Sequence, residues 1–278
     1  MKNNQLFPIR FDNFKVDAAD MLCGIDFKNQ YPVEASGLTN WALRSLLIRQ
    51  DNRNILIDTG FGNKQNSNFF EQYHLNGNFS LQLQLQEIGL SAADITDVVL
   101  THLHFDHCGG CLLKNDGDIA PTFPNAKLWI TQIQWDAAIN PDPREKDSFL
   151  PENISPLPTY YDIRFVQGND AFSENINFNI VNGHTKGQLI PIIKCGRQSF
   201  LFGGDLFPSS VHIDPGMNMS YDMDINTAIC EKSDMLEYCL DNNIFIIFQH
   251  GLYVECCSLK RYKSRIVVDQ IYKIQQFN

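Results

Sequence analysis

Three histidines and an aspartate lie within six positions, His102, His104, Asp106 and His107, in the stretch Thr101-His102-Leu103-His104-Phe105-Asp106-His107. Imidazole nitrogens and carboxylate oxygens bind zinc-like cations well, and donors this close in sequence converge only where the backbone turns sharply. The apolar run Val98-Val99-Leu100 before them reads as a buried strand. His102 and His104, two apart, would point the same way off an extended segment, while Asp106 and His107 fall on the following turn and point elsewhere. One stretch can therefore serve two metal ions. Four polar, metal-avid side chains after a buried strand are costly unless something binds them.

Further donors follow other apolar runs. His184 comes after Ile176 to Val181 in Gly183-His184-Thr185, Asp205 after Ser199 to Phe202 in Gly203-Gly204-Asp205, and His250 after Ile244 to Gln249. Several strand ends can thus deliver side chains to one rim of a sheet core. His74, in a polar segment, reads as exposed, and His212 as non-liganding. Cys108 and Cys111 form a CxxC beside the cluster. The two glycines between them suit a tight turn with close backbone packing, and no second CxxC completes a four-sulfur site, which favours packing over a redox or ligand role. Eight irregularly spaced cysteines in a long chain read as reduced thiols.

The elements that must position these groups are mostly strands. Strands are predicted over 6–16, Trp41 to Ile48, Asn54 to Ile57, Asp97 to Leu100, Lys127 to Ile130, Arg164 to Val166, Ile176 to Val181, Gln188 to Lys194, Ser199 to Gly203 and Ile244 to Gln249. Helices are predicted over Gln132 to Ile139 behind a Thr131 cap, over Asn226 to Leu240 and over Tyr262 to Gln275, while residues 81–88 fit an alternating strand and a helical face alike, with Gly89 as a helix stop. Residues 17–40 and 63–78 read as loops, and the prolines from Pro141 to Pro158 as a non-helical stretch. No repeat or linker splits the chain, so residues 1–278 are expected to form one domain.

Composition narrows the partners. With 22 Lys plus Arg against 32 Asp plus Glu, the net charge of −10 would repel nucleic-acid phosphates and anionic membrane surfaces. No run approaches the roughly 20 apolar residues of a membrane span, and Met1-Lys2-Asn3-Asn4-Gln5-Leu6-Phe7-Pro8 lacks an apolar signal core. The expectation is a cytoplasmic protein acting on a small molecule, with no nucleic-acid or membrane partner.

The THLHFDH stretch, followed in order by GHT, GGD and the final QHG, resembles the HxHxDH signature and ligand order of the metallo-β-lactamase fold superfamily, over essentially the whole chain. The resemblance implies an α/β fold, a four-layer αββα sandwich of two mixed sheets with helices outside and metals at one edge. It gives His102, His104 and His184 to one metal and Asp106, His107 and His250 to the other, with Asp205 bridging them and Asp58, in the Asp58-Thr59-Gly60 turn, holding the metal loop from behind. It further implies two divalent cations, zinc first and manganese, iron or cobalt acceptable to the same donors. They would sit about 3.5–4 Å apart and share a hydroxide that attacks the substrate. Asp106 and Asp205 are the implied catalytic carboxylates, Asp106 as the group that accepts or returns a proton.

Within the superfamily, the loop before Trp41, residues 203–208 and Ser220-Tyr221-Asp222-Met223-Asp224 look most similar to the N-acyl homoserine lactonases and methyl parathion hydrolases. A small ester, a lactone or an organophosphate-type ester is the implied substrate. Where those lactonases carry a tyrosine three residues past the bridging aspartate, this chain has Pro208. Loss of such a donor costs about 10²–10³ in rate unless another replaces it, and Tyr221 is one candidate. Met21, Leu22, Phe27 and Phe207 are expected to line an apolar pocket. The alternatives are an iron-dependent redox enzyme on the same ligands, a phosphodiesterase or RNA-processing relative, and a metal-binding protein without turnover. The resemblance also suggests a homodimer.

Overall fold

A computed structural model describes residues 4–23, 31–77, 79–167 and 171–278. A six-stranded sheet runs in the order β1 (Gln5–Asp17), β2 (Leu38–Gln50), β3 (Arg53–Ile57), β4 (Asp97–Val99), β7 (Lys127–Thr131), β8 (Asp162–Val166). The excursion between β4 and β7 holds a small hairpin, β5 (Leu112–Asn115) and β6 (Asp118–Pro121). The second sheet has seven strands. From one edge to the other they are β15 (Arg265–Tyr272), β14 (Cys256–Tyr262), β13 (Ile244–Ile247), β12 (Gln198–Phe202), β11 (Gln188–Cys195), β10 (Ile176–Val181) and β9 (Ala171–Ser173). Both sheets are mixed: β3, β4, β7 and β8 pair in parallel, as do β12 and β13, and the other neighbours are antiparallel.

Side-chain alternation along the strands builds the layers. Leu46, Ile48, Ile55, Ile57 and Val99 of the first sheet meet Phe178, Leu189, Phe200, Phe202 and Ile247 of the second in one buried cluster. The residues between them face outward. Leu47, Leu56, Val98 and Leu128 pack under helices through Leu85, Ala138, Ile154 and Leu157, and Leu201 and Ile246 pack under Leu236 and Cys239. The order helix, sheet, sheet, helix is therefore written in the period-two pattern of these strands, and the expected four-layer arrangement is the one observed.

The helices are α1 (Ala18–Met21), α2 (Ser67–Gln72), α3 (Leu81–Glu87), α4 (Phe105–Cys108), α5 (Gln132–Ile139), α6 (Pro151–Ile154), α7 (Leu157–Tyr160) and α8 (Ile225–Asp241). None of the described helices is long and apolar enough to cross a membrane. Thr131 caps α5 by accepting a hydrogen bond from the Gln134 amide at 3.0 Å, and Asp224 caps α8 through the Thr227 amide at 3.0 Å.

Four sequence expectations are corrected, the first being the loop over residues 17–40, which holds α1 (Ala18–Met21) and the start of β2 at Leu38. The expected terminal helix over Tyr262 to Gln275 is a hairpin, β14 to β15, turning at Lys263 with φ of 53°; the β-branched run Ile266-Val267-Val268 favours strand. Residues 63–78 contain α2, whose start is fixed by the Asn66 side chain accepting from the Phe69 amide at 3.0 Å. The proline-rich stretch contains α6 and α7, each with proline in its first turn, where the missing N–H costs no helical bond.

Candidate metal centre

Past the end of β4 the chain bends at Thr101 and reaches His104, which stands in extended conformation at the N-cap of α4 with φ −62° and ψ 152°. Helix α4 then swings Asp106 and His107 away from His102 and His104. His184 arrives from the end of β10, Asp205 from the turn after β12, and His250 from the segment after β13. The seven side chains collect into two groups, each with its donor atoms within 4.8 Å of one another: His102, His104, His184 and Asp205, and Asp106, His107 and His250. The two oxygens of Asp205 divide between them. Oδ2 lies 3.2 Å from His184 Nε2 and 3.8 Å from His102 Nε2, while Oδ1 lies 3.1 Å from His250 Nε2 and 3.4 Å from His107 Nε2.

Hydrogen bonds on the far side of each ring decide which nitrogen faces the centre. His104 Nε2 donates to Glu145 Oε1 at 2.9 Å, His184 Nδ1 to Asp222 Oδ1 at 2.9 Å, His107 Nδ1 to Asp58 Oδ2 at 3.0 Å and His250 Nδ1 to the Ala42 carbonyl at 2.9 Å. The Thr101 hydroxyl donates to Asp58 Oδ2 at 2.7 Å and so accepts from His102 Nδ1 at 3.0 Å. Every inward nitrogen therefore presents a lone pair. His104 Nδ1 lies 3.1 Å from His102 Nε2 and 3.2 Å from His184 Nε2, with no proton left to share among the three. Buried Nε2 of His107 and Oδ1 of Asp205 likewise have no hydrogen-bond partner among the described residues. Lone pairs facing one another in a buried site are unfavourable unless a cation stands among them, so the donor set fits metal ions.

The electrostatics agree. Burial, with the neighbouring His107 and His104, holds His102 well below the ordinary imidazole range, in the neutral form that coordinates. Burial acts to raise Asp205, but His107, His250 and His184 outweigh it and hold its carboxyl well below the usual range. At His107 burial acts downward, and Asp106 and Asp205 more than reverse it, holding the ring well above its ordinary value. An anionic pair that draws a proton to this position would draw a divalent cation as well.

Asp58 sits behind the cluster with φ of 59°, its Oδ1 accepting from the Thr101 amide at 2.7 Å. Cys108 and Cys111 are buried free thiols outside both groups. Burial pushes both upward, Cys111 to about 12, so neither offers a thiolate. Their glycines make a close backbone contact: a Cβ on Gly109 would lie 2.0 Å from the Phe61 carbonyl oxygen, and one on Gly110 2.0 Å from that of Thr59. His74 is exposed. His212 is buried outside the cluster, its Nδ1 accepting from Ser209 and its Nε2 donating to the Met21 carbonyl, each at 2.9 Å.

A cavity of about 160 Å³ opens over the donors, floored by His104, Asp106, His184, Asp205 and His250 and walled by Phe14, Met21, Phe105, Met219, Tyr73 and Tyr221. Met21 and Tyr221, named from the sequence, reach it. Leu22 and Phe207 do not, which corrects two pocket expectations. Leu22 packs behind the wall with Trp41 and Met217. The turn after β12, in which the Phe207 amide donates to the Gly203 carbonyl at 3.1 Å, sends Phe207 into the core under α8 while Asp205 faces the cluster. Phe27 lies outside the described residues. Sequence reasoning missed Glu145 and Tyr73, and it noted Asp222 only as part of a resembling segment; no spacing rule marks an acid or phenol that arrives from a loop or helix end.

A family model described as the Metallo-beta-lactamase superfamily matches residues 41–224. The chain is 31% identical over 116 residues to the N-acyl homoserine lactonase AiiB of Agrobacterium fabrum, covering 38% of this chain and 42% of that protein. It is 26% identical over 183 residues to a probable metallo-hydrolase of Mycobacterium tuberculosis, covering 58% and 56%. The chain thus spans about half the length of these curated relatives. Among solved structures, a probable metal-dependent hydrolase from Staphylococcus aureus superposes with a TM-score of 0.86 at 21% identity, over 98% of this chain and 100% of that one. AidC, a dizinc quorum-quenching lactonase in complex with a product, superposes with a TM-score of 0.80 at 22% identity, over 98% and 97%. At these identities the structural likeness speaks to the fold.

Proposed function

The chain belongs to the metallo-beta-lactamase superfamily, and we propose that it is a dinuclear metal-dependent hydrolase of small esters, a class that includes lactones and organophosphate-type esters. The observation that carries this reading is the convergence of buried lone pairs around both oxygens of Asp205. His102, His104, His184 and Asp205 Oδ2 would hold one ion, and Asp106, His107, His250 and Asp205 Oδ1 the other. All donors are nitrogen or oxygen, which suits zinc and admits manganese, iron or cobalt. A bound pair of such ions supplies Lewis acidity toward a substrate oxygen and makes water acidic enough to act as a nucleophile near neutral pH.

The protein's own groups do the remaining work. Glu145, Asp222, Asp58, Thr101 and the Ala42 carbonyl engage the outer ring nitrogens, which fixes the tautomers and aims the other nitrogen of each ring inward. Asp106, with 15% of its side chain exposed, is among the least covered of the donors and lines the cavity. There its carboxylate can take up a proton from the reacting water and return it to the leaving oxygen. Phe14, Met21, Phe105 and Met219 exclude bulk water and suit an alkyl or acyl portion of the substrate. The net charge of −10 disfavours polyanionic substrates.

The test of the proton role is Asp106→Asn. The expected outcome is a fall in kcat for an ester by about 10²–10⁴ in protein that still carries both ions. Full activity with both ions bound would remove Asp106 from that role.

A further inference from the structure

The floor of the cavity consists of imidazole lone pairs and carboxylates, none of which offers a hydrogen-bond donor to a substrate. Two phenols reach the same space, Tyr73 and Tyr221. The Tyr221 hydroxyl is directed to Asp20 Oδ2 at 3.4 Å, and the residue is 47% exposed. Tyr73 differs on both points. It is only partly exposed, and its hydroxyl makes no hydrogen bond among the described residues. Its ring is fixed on several sides, with centroids 5.4 Å from Phe61, 5.2 Å from Phe69 and 5.2 Å from Phe105. Its backbone is fixed as well: the Tyr73 carbonyl accepts from the Lys15 amide at 2.8 Å, and its amide donates to the Phe70 carbonyl at 3.2 Å. Phe105 immediately precedes Asp106, and Tyr73, Phe105 and Asp106 line the same cavity.

A phenol held this rigidly, half-desolvated and without an internal acceptor, has its hydrogen-bonding capacity free for a ligand. Tyrosine is protonated at neutral pH and so acts as a donor. The rest of its surroundings argue that the ring is placed for this hydroxyl: α2 exists as a capped turn that ends at Tyr73 and packs Phe69 against Phe61 and Phe105.

We propose that Tyr73 is a catalytic residue of this site, donating a hydrogen bond to the substrate oxygen on which negative charge develops, on the Asp106 side of the cavity. The inference rests on the hydrolase reading. Asp106 then manages a proton while Tyr73 stabilises charge, and the two act on one substrate from neighbouring positions. A preorganised donor of this kind is worth about 10²–10³ in rate in well-studied sites.

The experiment compares the metal-loaded full chain with Tyr73→Phe, which keeps the ring and its packing, and with Tyr221→Phe. The readouts are ester hydrolysis, metal content, melting temperature and calorimetric binding of an alkyl phosphonate monoester, a stable tetrahedral anion. For Tyr73→Phe the expected result is a fall of about 10²-fold in kcat with KM within about threefold, weaker phosphonate binding, and unchanged metal content and melting temperature. Tyr221→Phe is expected to cost less. Activity of Tyr73→Phe within threefold of the parent, or a larger loss in Tyr221→Phe, would overturn the inference while leaving the hydrolase reading in place. A parent chain that binds two ions and cleaves no ester would overturn both.

Discussion

Each imidazole of the centre is committed twice, outward through a proton and inward through a lone pair, and the outward partner has measurable consequences. Glu145 is the clearest, because its carboxylate reaches His104 from a loop rather than from a strand end. Replacing it with alanine frees the His104 ring and should weaken metal binding by about 10–100-fold in competition with a chelator. Glu145→Gln, which keeps an acceptor oxygen, should retain most of the affinity; equal affinity in Glu145→Ala and the parent would show that the contact orients nothing. His212 makes a second residue-scale prediction. Burial first, and then the Lys232 charge, depress its pKa to about 3 from 6.5. Between these values the unfolded chain binds a proton that the folded chain refuses, so stability rises with pH through the window and is lost as pH falls from about 6.5 toward 3. The share of this one ring between pH 7 and pH 5 is about 2 kcal/mol. Urea denaturation at the two pH values should show a smaller difference for His212→Gln than for the parent, and an identical difference would contradict the assignment. At this scale the sequence announced the donors, because imidazoles at spacing two and five after an apolar run are costly to bury without a cation among them. It did not announce Glu145 or Tyr73, since a lone acid in a proline-rich loop and a lone tyrosine after two phenylalanines resemble ordinary surface and packing residues.

The elements that carry these residues were legible in proportion to how local their causes are. Strands such as β2, β3 and β12 alternate between two buried faces, and Thr131 ahead of an apolar segment marks α5. The terminal hairpin misled because Tyr262 to Gln275 mixes charged and β-branched residues at spacings that fit a helix as well, and only the pairing of β15 with β14, itself paired to β13, decides the matter. Helix α2 was invisible because its six residues are stabilised by aromatic contacts with Phe61 and Phe105, which come from elsewhere in the chain. The turn after α4 yields a prediction at this scale. Gly110→Ala forces a Cβ to 2.0 Å from the Thr59 carbonyl, whereas Gly89→Ala, with φ of 73° and nothing within 4 Å, meets only backbone strain. Denaturant unfolding should give a loss of about 3 kcal/mol for Gly110→Ala against about 1 kcal/mol for Gly89→Ala, with reduced metal occupancy only in the former. Equal losses would mean that the 59–62 and 109–111 segments do not need their close approach.

For the whole molecule, the donors follow strands of both sheets, β4 of the first and β10, β12 and β13 of the second, so they converge only in the folded chain. Metal ions that bind this arrangement and not the unfolded chain stabilise it by mass action. Removing them with a chelator should lower the melting temperature, and adding zinc should restore it; a melting temperature indifferent to both would detach the metals from the fold. The central claim is that this donor set, with Asp205 contributing an oxygen to each group, would hold two cations and that the loaded chain hydrolyses a small ester. One measurement tests it most directly: metal ions per chain, determined on the same sample that is assayed against an acyl lactone, an aryl ester, a phosphotriester and a phosphodiester. The expected result is two ions and turnover of at least one of the first three substrates. One ion per chain, or two ions with no turnover of any of those three, would contradict it.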